Sequence, residues 1–473
     1  MNITKDVDVN IQKIKARLNV DKSFDLINRN IIIGGRKTSL FFIDGFVKDD
    51  VMEKIMECFF KIKPEDFKKM ATAKDFCEYI PYVEVSIENN IDKIIDNVLS
   101  GPTVMIIDGF EDAIVMDLRT YPARNTGEPD KEKVTRGSRD GFVETIVFNT
   151  ALIRRRIRDP RLTFEMLSVG SRSKTDVAIG YIDGIEDENL LKQIKRRISS
   201  LEVEALTMSQ ESLIEGLVKH KFFNPFPKVK YTERPDVAAA QILEGSIVVI
   251  VDNSPSVIVM PYSFFSFVQE IEDFYYPPIT GFYLRFIRVL VVLTTLLLTP
   301  TWLLLMQNVD KLPDALAVLA VSEMNSVPLI IQFLLLEVGI DALKMASLNT
   351  PSSLGTSLGI IGGLILGDFA VKSGWFVPDT ILYMAIIAVG SFTHPNIELG
   401  YAIKFCRILL LISTWALGKW GYIIGIIIII AIIASNKTLE GRGYLYPLIP
   451  FNGKELKGIF LRKSLRHKSE EEG

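Results

Sequence analysis

The chain has 473 residues, 48% hydrophobic and 23% charged with a formal net charge of −3, averages that look like an ordinary soluble protein and conceal how the two classes are segregated along it. Three cysteines (Cys58, Cys77, Cys406) and three histidines (His220, His394, His467) stand far apart without a C-x-x-C pair, which argues against a disulfide framework, a zinc site or any metal cluster. The first residues, MNITKDVDVNIQKIK, have no apolar core and no small-residue cleavage site, so no secretory signal is expected and the N-terminal domain is expected in the cytoplasm.

Residues 1–284 read as alternating helices and strands, and they contain an internal repeat. Asn97 to Met116 (NVLSGPTVMIIDGFEDAIVM) aligns without a gap on Gln241 to Met260 (QILEGSIVVIVDNSPSVIVM): helix end, Gly stop, apolar strand, turn, second strand. LFFIDGFVKDDVMEKI from Leu40 likewise aligns with IGYIDGIEDENLLKQI from Ile179, a strand, an Asp-Gly turn and an amphipathic helix. The expected architecture is therefore two related α/β subdomains, 1–130 and 131–284, divided within the polar stretch Asn125 to Arg139. GGRKT at Gly34 and GSRSKT at Gly170 lack Walker spacing and lead into strands, so they read as structural turns before phosphate cradles. Asp-Gly at Asp44, Asp108 and Asp183 is a turn dipeptide first. The run RRRIRDPR (Arg154 to Arg161) reads as a solvated helix face or inter-subunit pairing before a nucleic-acid or lipid contact. With no Ser/His/Asp set, paired-carboxylate pattern or dinucleotide fingerprint, no enzyme and no cofactor is expected.

At about Arg285 the chain changes solvent. Val289 to Met306 carries no charge and, at about 1.5 Å per helical residue, reaches roughly 27 Å. Apolar segments at 286–307, 314–340, 353–371, 378–394, 399–418 and 420–435 make 285–436 a helical polytopic membrane domain of four to six spans, followed by a basic tail, 437–473. The second segment holds Glu323, Asn325 and Pro328 and reads as broken, re-entrant or packed inside a bundle. Arg285, Arg288 and the basic tail place both ends in the cytoplasm, which needs an even number of crossings. Ser352, Thr356, Gly359, Gly363 and Gly367 line one helix face, either a close-packing surface or the wall of a pore around an oligomer axis. Glu323, Glu337, Asp368, Lys404 and Arg407 are the costly membrane charges; Lys404 and Arg407 are expected to pair with Glu337 or Glu398 or to snorkel, and Asp368 to stand at a pore mouth or an interface.

Ser168 to Ile185, Asn224 to Gly245, Phe267 to Pro278, Gly359 to Gly367 and Pro395 to Arg407 together resemble the A subunits of GerA-type spore germinant receptors, over nearly the whole chain. The resemblance implies an inner spore membrane protein that works with a permease-like B subunit and a lipoprotein C subunit, assembles into rings and forms a nutrient-gated ion channel. A non-conducting receptor scaffold and, behind it, a secondary transporter are the alternatives. No nucleic-acid partner is expected. The junction EDFYYPPITGFYLRFIR, with Asp273, Tyr275, Arg285 and Arg288, is expected to be the sole covalent link and coupling element between the cytoplasmic domain and the membrane domain.

Overall fold

A computed structural model describes residues 1–121, 137–218, 223–311, 313, 327–349, 370–394, 396–439 and 441–460. It divides into two units: Met1–Lys219 with Val229–Pro261, and His220–Lys228 with Tyr262–Gly473.

The first unit is built twice on one plan. Strands β1 (Leu26–Ile33), β2 (Arg36–Ile43), β3 (Val85–Glu88), β4 (Thr103–Ile107) and β5 (Ala113–Met116) form an antiparallel sheet in the order β1-β2-β4-β5-β3. Strands β6 (Leu162–Val169), β7 (Thr175–Ile182), β8 (Lys230–Thr232), β9 (Ile247–Val251) and β10 (Val257–Met260) repeat that order as β6-β7-β9-β10-β8. Registers repeat as well: Thr103 lies opposite Met116 as Ile247 lies opposite Met260. The central strands TVMII and IVVIV are buried at every position, because helices cover both faces of each sheet; such strands lose the polar–apolar alternation.

The repeat extends to details of polar chemistry. Helices Val7–Leu18 and Ile146–Arg154 are each braced by a buried Asn. Asn10 Oδ1 accepts from Thr4 N (2.9 Å) and its amide donates to Thr4 O (2.6 Å); Asn149 does the same with Val143 (2.8 and 2.5 Å). The aspartate of the β4–β5 turn, Asp108, accepts from Val7 N at 3.4 Å, and its counterpart Asp252 accepts from Ile146 N at 3.2 Å. A carboxylate at a helix N-terminus satisfies an orphan amide and opposes the helix dipole, so Asp108 has structural work to do. Gly34 and Gly35 form a two-residue β1–β2 hairpin turn with φ of 52° and 81°. A Cβ on Gly34 would overlap the Phe67 ring, which confirms a structural turn.

The arginine run differs from its expected solvated face. Arg154 is fully buried: Nε donates to Asp25 Oδ2 (2.7 Å), and Nη2 reaches Asp25 Oδ1 (3.0 Å), Ser23 Oγ (3.2 Å) and Leu162 O (3.0 Å). Ser23 Oγ also accepts from Phe164 N at 2.9 Å. The bonds to Asp25 and Ser23 join the first repeat to the second, while Leu162 and the Phe164 ring of the second repeat cover the rest of the guanidinium. Arg156 bonds Ser138 and Asp140, and Arg161 bonds Asp159.

The second unit is helical. Among the described residues two helices are long and apolar enough to cross a membrane, Pro278–Met306 and Ile397–Ala434. The latter is a hairpin. Gly418 has φ 56° and ψ −134°, and a Cβ on Gly421 would overlap the Ser413 carbonyl, a contact impossible in one continuous helix. The chain therefore ascends to Leu417 and returns from Lys419, with Gly421 and Gly425 letting the two legs approach, as small residues four apart permit. Helix Leu329–Asn349 starts at the break expected at Pro328 and runs nine residues past the expected end at 340, because its carboxylates Glu337 and Asp341 are paired and Lys344 is hydrogen-bonded inside the bundle. Gln332, fully buried, accepts from Val377 N (3.0 Å) and Thr380 Oγ1 (2.9 Å), while Lys344 donates to Ser391 Oγ (3.3 Å). Leu329–Asn349 and Pro378–Phe392 therefore run parallel, start beside start and end beside end.

The expectation of a single link between the two parts needs correction. The chain passes between the units three times, because Phe223–Lys228 belongs to the helical unit. There Asn224 Nδ2 donates to Ile432 O (3.2 Å), Pro227 O accepts from Tyr444 OH (2.6 Å), and Phe226 packs edge-on against Phe264 and Tyr444.

Candidate functional site: a charged cavity among apolar helices

Glu337, Asp341 and Lys344 recur at four- and three-residue steps, so the helix Leu329–Asn349 presents them on one face. Lys404 and Arg407 do the same on the ascending leg from Ile397, whose start is capped by Asn396 Oδ1 accepting from Glu398 N (2.7 Å) and Leu399 N (3.4 Å). The two faces meet. Arg407 Nε donates to Glu337 Oε1 at 2.6 Å, Lys404 Nζ lies 3.5 Å from Glu337 Oε2, and Lys404 also pairs with Asp341. Arg407 Nη1 donates to Thr295 O (2.7 Å), and Thr295 Oγ1 lies 3.3 Å from His394 Nε2, tying in the helix Pro278–Met306.

Glu337 and Arg407 are buried, at 3% and 4% exposed. A lone charge there would be costly, and each side chain offsets the burial of the other; truncating one strands its partner. Beside the pair lies a cavity of about 330 Å³ whose wall combines these charges with Ile340, Ile387, Phe392 and Ile397.

Of the charges singled out in the sequence, Glu337, Lys404 and Arg407 thus come together, Glu337 pairing with both cations. Glu323, Asp368 and the small-residue stripe Ser352, Thr356, Gly359, Gly363 and Gly367 lie outside the described residues. Asp341 and Lys344 were not singled out, although their spacing from Glu337 was there to be read.

The junction residues form a second cluster. Asp273 is fully buried and accepts from Arg285 Nε (2.9 Å), Arg288 Nη2 (2.7 Å) and Arg288 Nη1 (3.0 Å). Arg285 Nη1 also donates to Ile459 O (2.6 Å), and Arg288 Nη1 to Val268 O (3.0 Å). Tyr275 ends the 3-10 turn Ile271–Tyr275 that carries Asp273.

The family described as Bacillus/Clostridium GerA spore germination protein matches residues 12–472. The chain is 39% identical to Stage V sporulation protein AF of Bacillus subtilis (strain 168) over 455 residues, 96% of this chain and 92% of that one. It is 29% identical to Spore germination protein KA of the same organism over 468 residues, 97% and 85% of the two chains. The crystal structure of the N-terminal domain of the A subunit of the Bacillus megaterium spore germinant receptor GerK3 is 24% identical, with a TM-score of 0.40, and the match covers 56% of this chain and 98% of that one. The match from end to end, together with the 39% identity, agrees with the resemblance read from the motifs: the chain belongs to the GerA spore germination protein family.

Proposed function

We propose that this chain is a non-enzymatic A-type subunit of a spore germinant receptor, set in the inner spore membrane with its α/β unit and tail on the core side. It assembles with its own copies, a permease-like B subunit and a lipoprotein C subunit, and conducts ions when a nutrient is bound.

The observation that carries the channel reading is the parallel pair of helices Leu329–Asn349 and Pro378–Phe392. Two parallel neighbours that follow one another in sequence need an intervening return of the chain, and the sequence between them holds the apolar segment 353–371 with its Ser352 to Gly367 stripe. Counting that segment as a span, from its hydropathy, gives six, and the Arg285–Ile459 hydrogen bond supports an even number by setting the first helix start beside the tail.

The test is ion flux from liposomes holding the chain alone and the full receptor, with Gly363→Leu and Thr356→Leu. We expect flux through the full receptor, reduced by both replacements; no flux despite normal assembly leaves the non-conducting scaffold, and unaffected flux moves the path elsewhere. The Asp273 cluster is the coupling element of this reading, so a Gly/Ser insertion after Tyr276 should leave assembly intact and weaken germination. An unchanged nutrient response would remove that role.

The identity to a protein named for stage V sporulation favours a second reading, service in sporulation rather than sensing of one nutrient. Deletion separates them: loss of response to one nutrient class supports the receptor, whereas an equal defect with every nutrient, or a sporulation defect, supports the second.

A further inference from the structure

The cavity beside Glu337 and Arg407 is out of charge balance. Its wall carries three cations, Lys344, Lys404 and Arg407, against two carboxylates, Glu337 and Asp341. Both carboxylates are used by Lys404 and Arg407. Lys344 is left with no carboxylate partner among the described residues. Its ammonium is held by the Ser391 hydroxyl at 3.3 Å and lies 5.0 Å from the centre of the Phe392 ring. An ammonium beside apolar walls gains from an anionic partner that displaces poorly ordered water.

The cavity supplies the rest of such a site. Ile340, Ile387, Phe392 and Ile397 offer apolar contact, Ser347, Ser391 and Tyr401 offer hydroxyls, and about 330 Å³ falls within the range of small-molecule pockets. We propose that this cavity binds a small amphipathic monoanion, its carboxylate or phosphate on Lys344 and its apolar body against Ile340, Ile387 and Phe392. The inference goes beyond conduction: it stands whether the chain is a channel or a scaffold.

The test uses the full chain in phosphatidylcholine nanodiscs, with hexanoate as the anionic probe and hexylammonium as its counterpart of opposite charge, both followed by titration calorimetry. Hexanoate should bind and hexylammonium should not. Lys344→Ala should weaken hexanoate by about tenfold or more, the worth of one charge-assisted hydrogen bond, and Lys344→Arg should restore most of the affinity. Asp341→Asn should tighten it, because the wall loses a negative charge and Lys404 keeps Glu337 alone as its carboxylate partner; a merely structural role for Asp341 predicts the opposite. Tryptophan fluorescence checks that each variant is folded. Repeating the titration in discs containing phosphatidylglycerol separates the sources: unchanged affinity assigns the site to a free anion, and weaker affinity assigns it to a lipid headgroup that competes. Absence of hexanoate binding, equal binding of the two probes, or an unaffected Lys344→Ala variant would overturn the proposal.

Discussion

Arg154→Met removes four hydrogen bonds at once and leaves the Asp25 carboxylate, 1% exposed, with the Ser23 hydroxyl as its side-chain partner among the described residues. Stranding one member of a buried ion pair costs about 3–5 kcal/mol. With a urea dependence of about 3 kcal/mol per molar, that is a fall of roughly 1–1.7 M in the unfolding midpoint. Cys58 and Cys77, both in the first unit and partly buried, report it through the urea dependence of thiol labelling, while buried Cys406 reports the helical unit in the same sample. The midpoint at Cys77 should fall by that amount and the midpoint at Cys406 should not move. Adding Asp25→Leu should recover most of the loss, since an apolar pair of similar volume replaces a buried ion pair at little cost. A midpoint shift under about 0.3 M for Arg154→Met, or a double variant as unstable as the sum of the singles, would refute the claim that this pair holds the two repeats together.

Gly421→Ala should prevent the hairpin from closing, because the new Cβ meets the Ser413 carbonyl, whereas Gly339→Ala, with open space around it, should change stability by no more than about 1 kcal/mol; the yield of monodisperse detergent-solubilised protein distinguishes them. The Arg119 hydrogen bonds hold the Asp117 carboxyl below the usual carboxylate range. Arg119→Gln should therefore lower stability above the unfolded-state pKa of Asp117, about 3.9, and the difference from wild type should shrink as pH falls through the depressed folded value. A difference that persists at the acid end would mean that Arg119 acts by packing against Tyr121 instead.

The duplication was legible because strand and helix ends follow apolar pattern and turn residues, which both copies kept: the two ungapped alignments fall on strands of identical length and register. The contacts that weld the copies were not legible. Asp25 and Arg154 are far apart in sequence, and nothing local distinguishes an arginine about to be covered from its solvated neighbours. The placement of Asn224 to Lys228 in the helical unit was hidden for a related reason, since a short Pro- and Phe-rich stretch reads as a loop wherever its side chains are buried. In the C-terminal half hydropathy located the described apolar helices and even the reversal at Gly418, but it ends a segment at its first charges. That rule failed at Asp341 and Lys344, where the bundle supplies partners.

The weld also shows where the repeats had to differ. By the spacing of the paired strands Asp25 corresponds to Arg161, since Asp44 N donates to Asp25 O as Asp183 N donates to Arg161 O. By the Asn braces Arg154 corresponds to Lys15. Inside the chain an acid therefore meets a base, but a third repeat stacked in the same sense would set Lys15 of one chain against Arg161 of another. Both are partly or largely solvated, at 31% and 54% side-chain exposure, and each already has its own acid, Asp21 or Asp159. A head-to-tail contact whose rotation does not close builds open filaments, and two cations at the repeat position oppose it. Arg161→Asp restores the acid–base match at that surface and should raise self-association of the chain in nanodisc-free detergent, read by sedimentation velocity at low salt and suppressed at high salt. An unchanged sedimentation profile would mean that shape, and not charge, limits the stack to two.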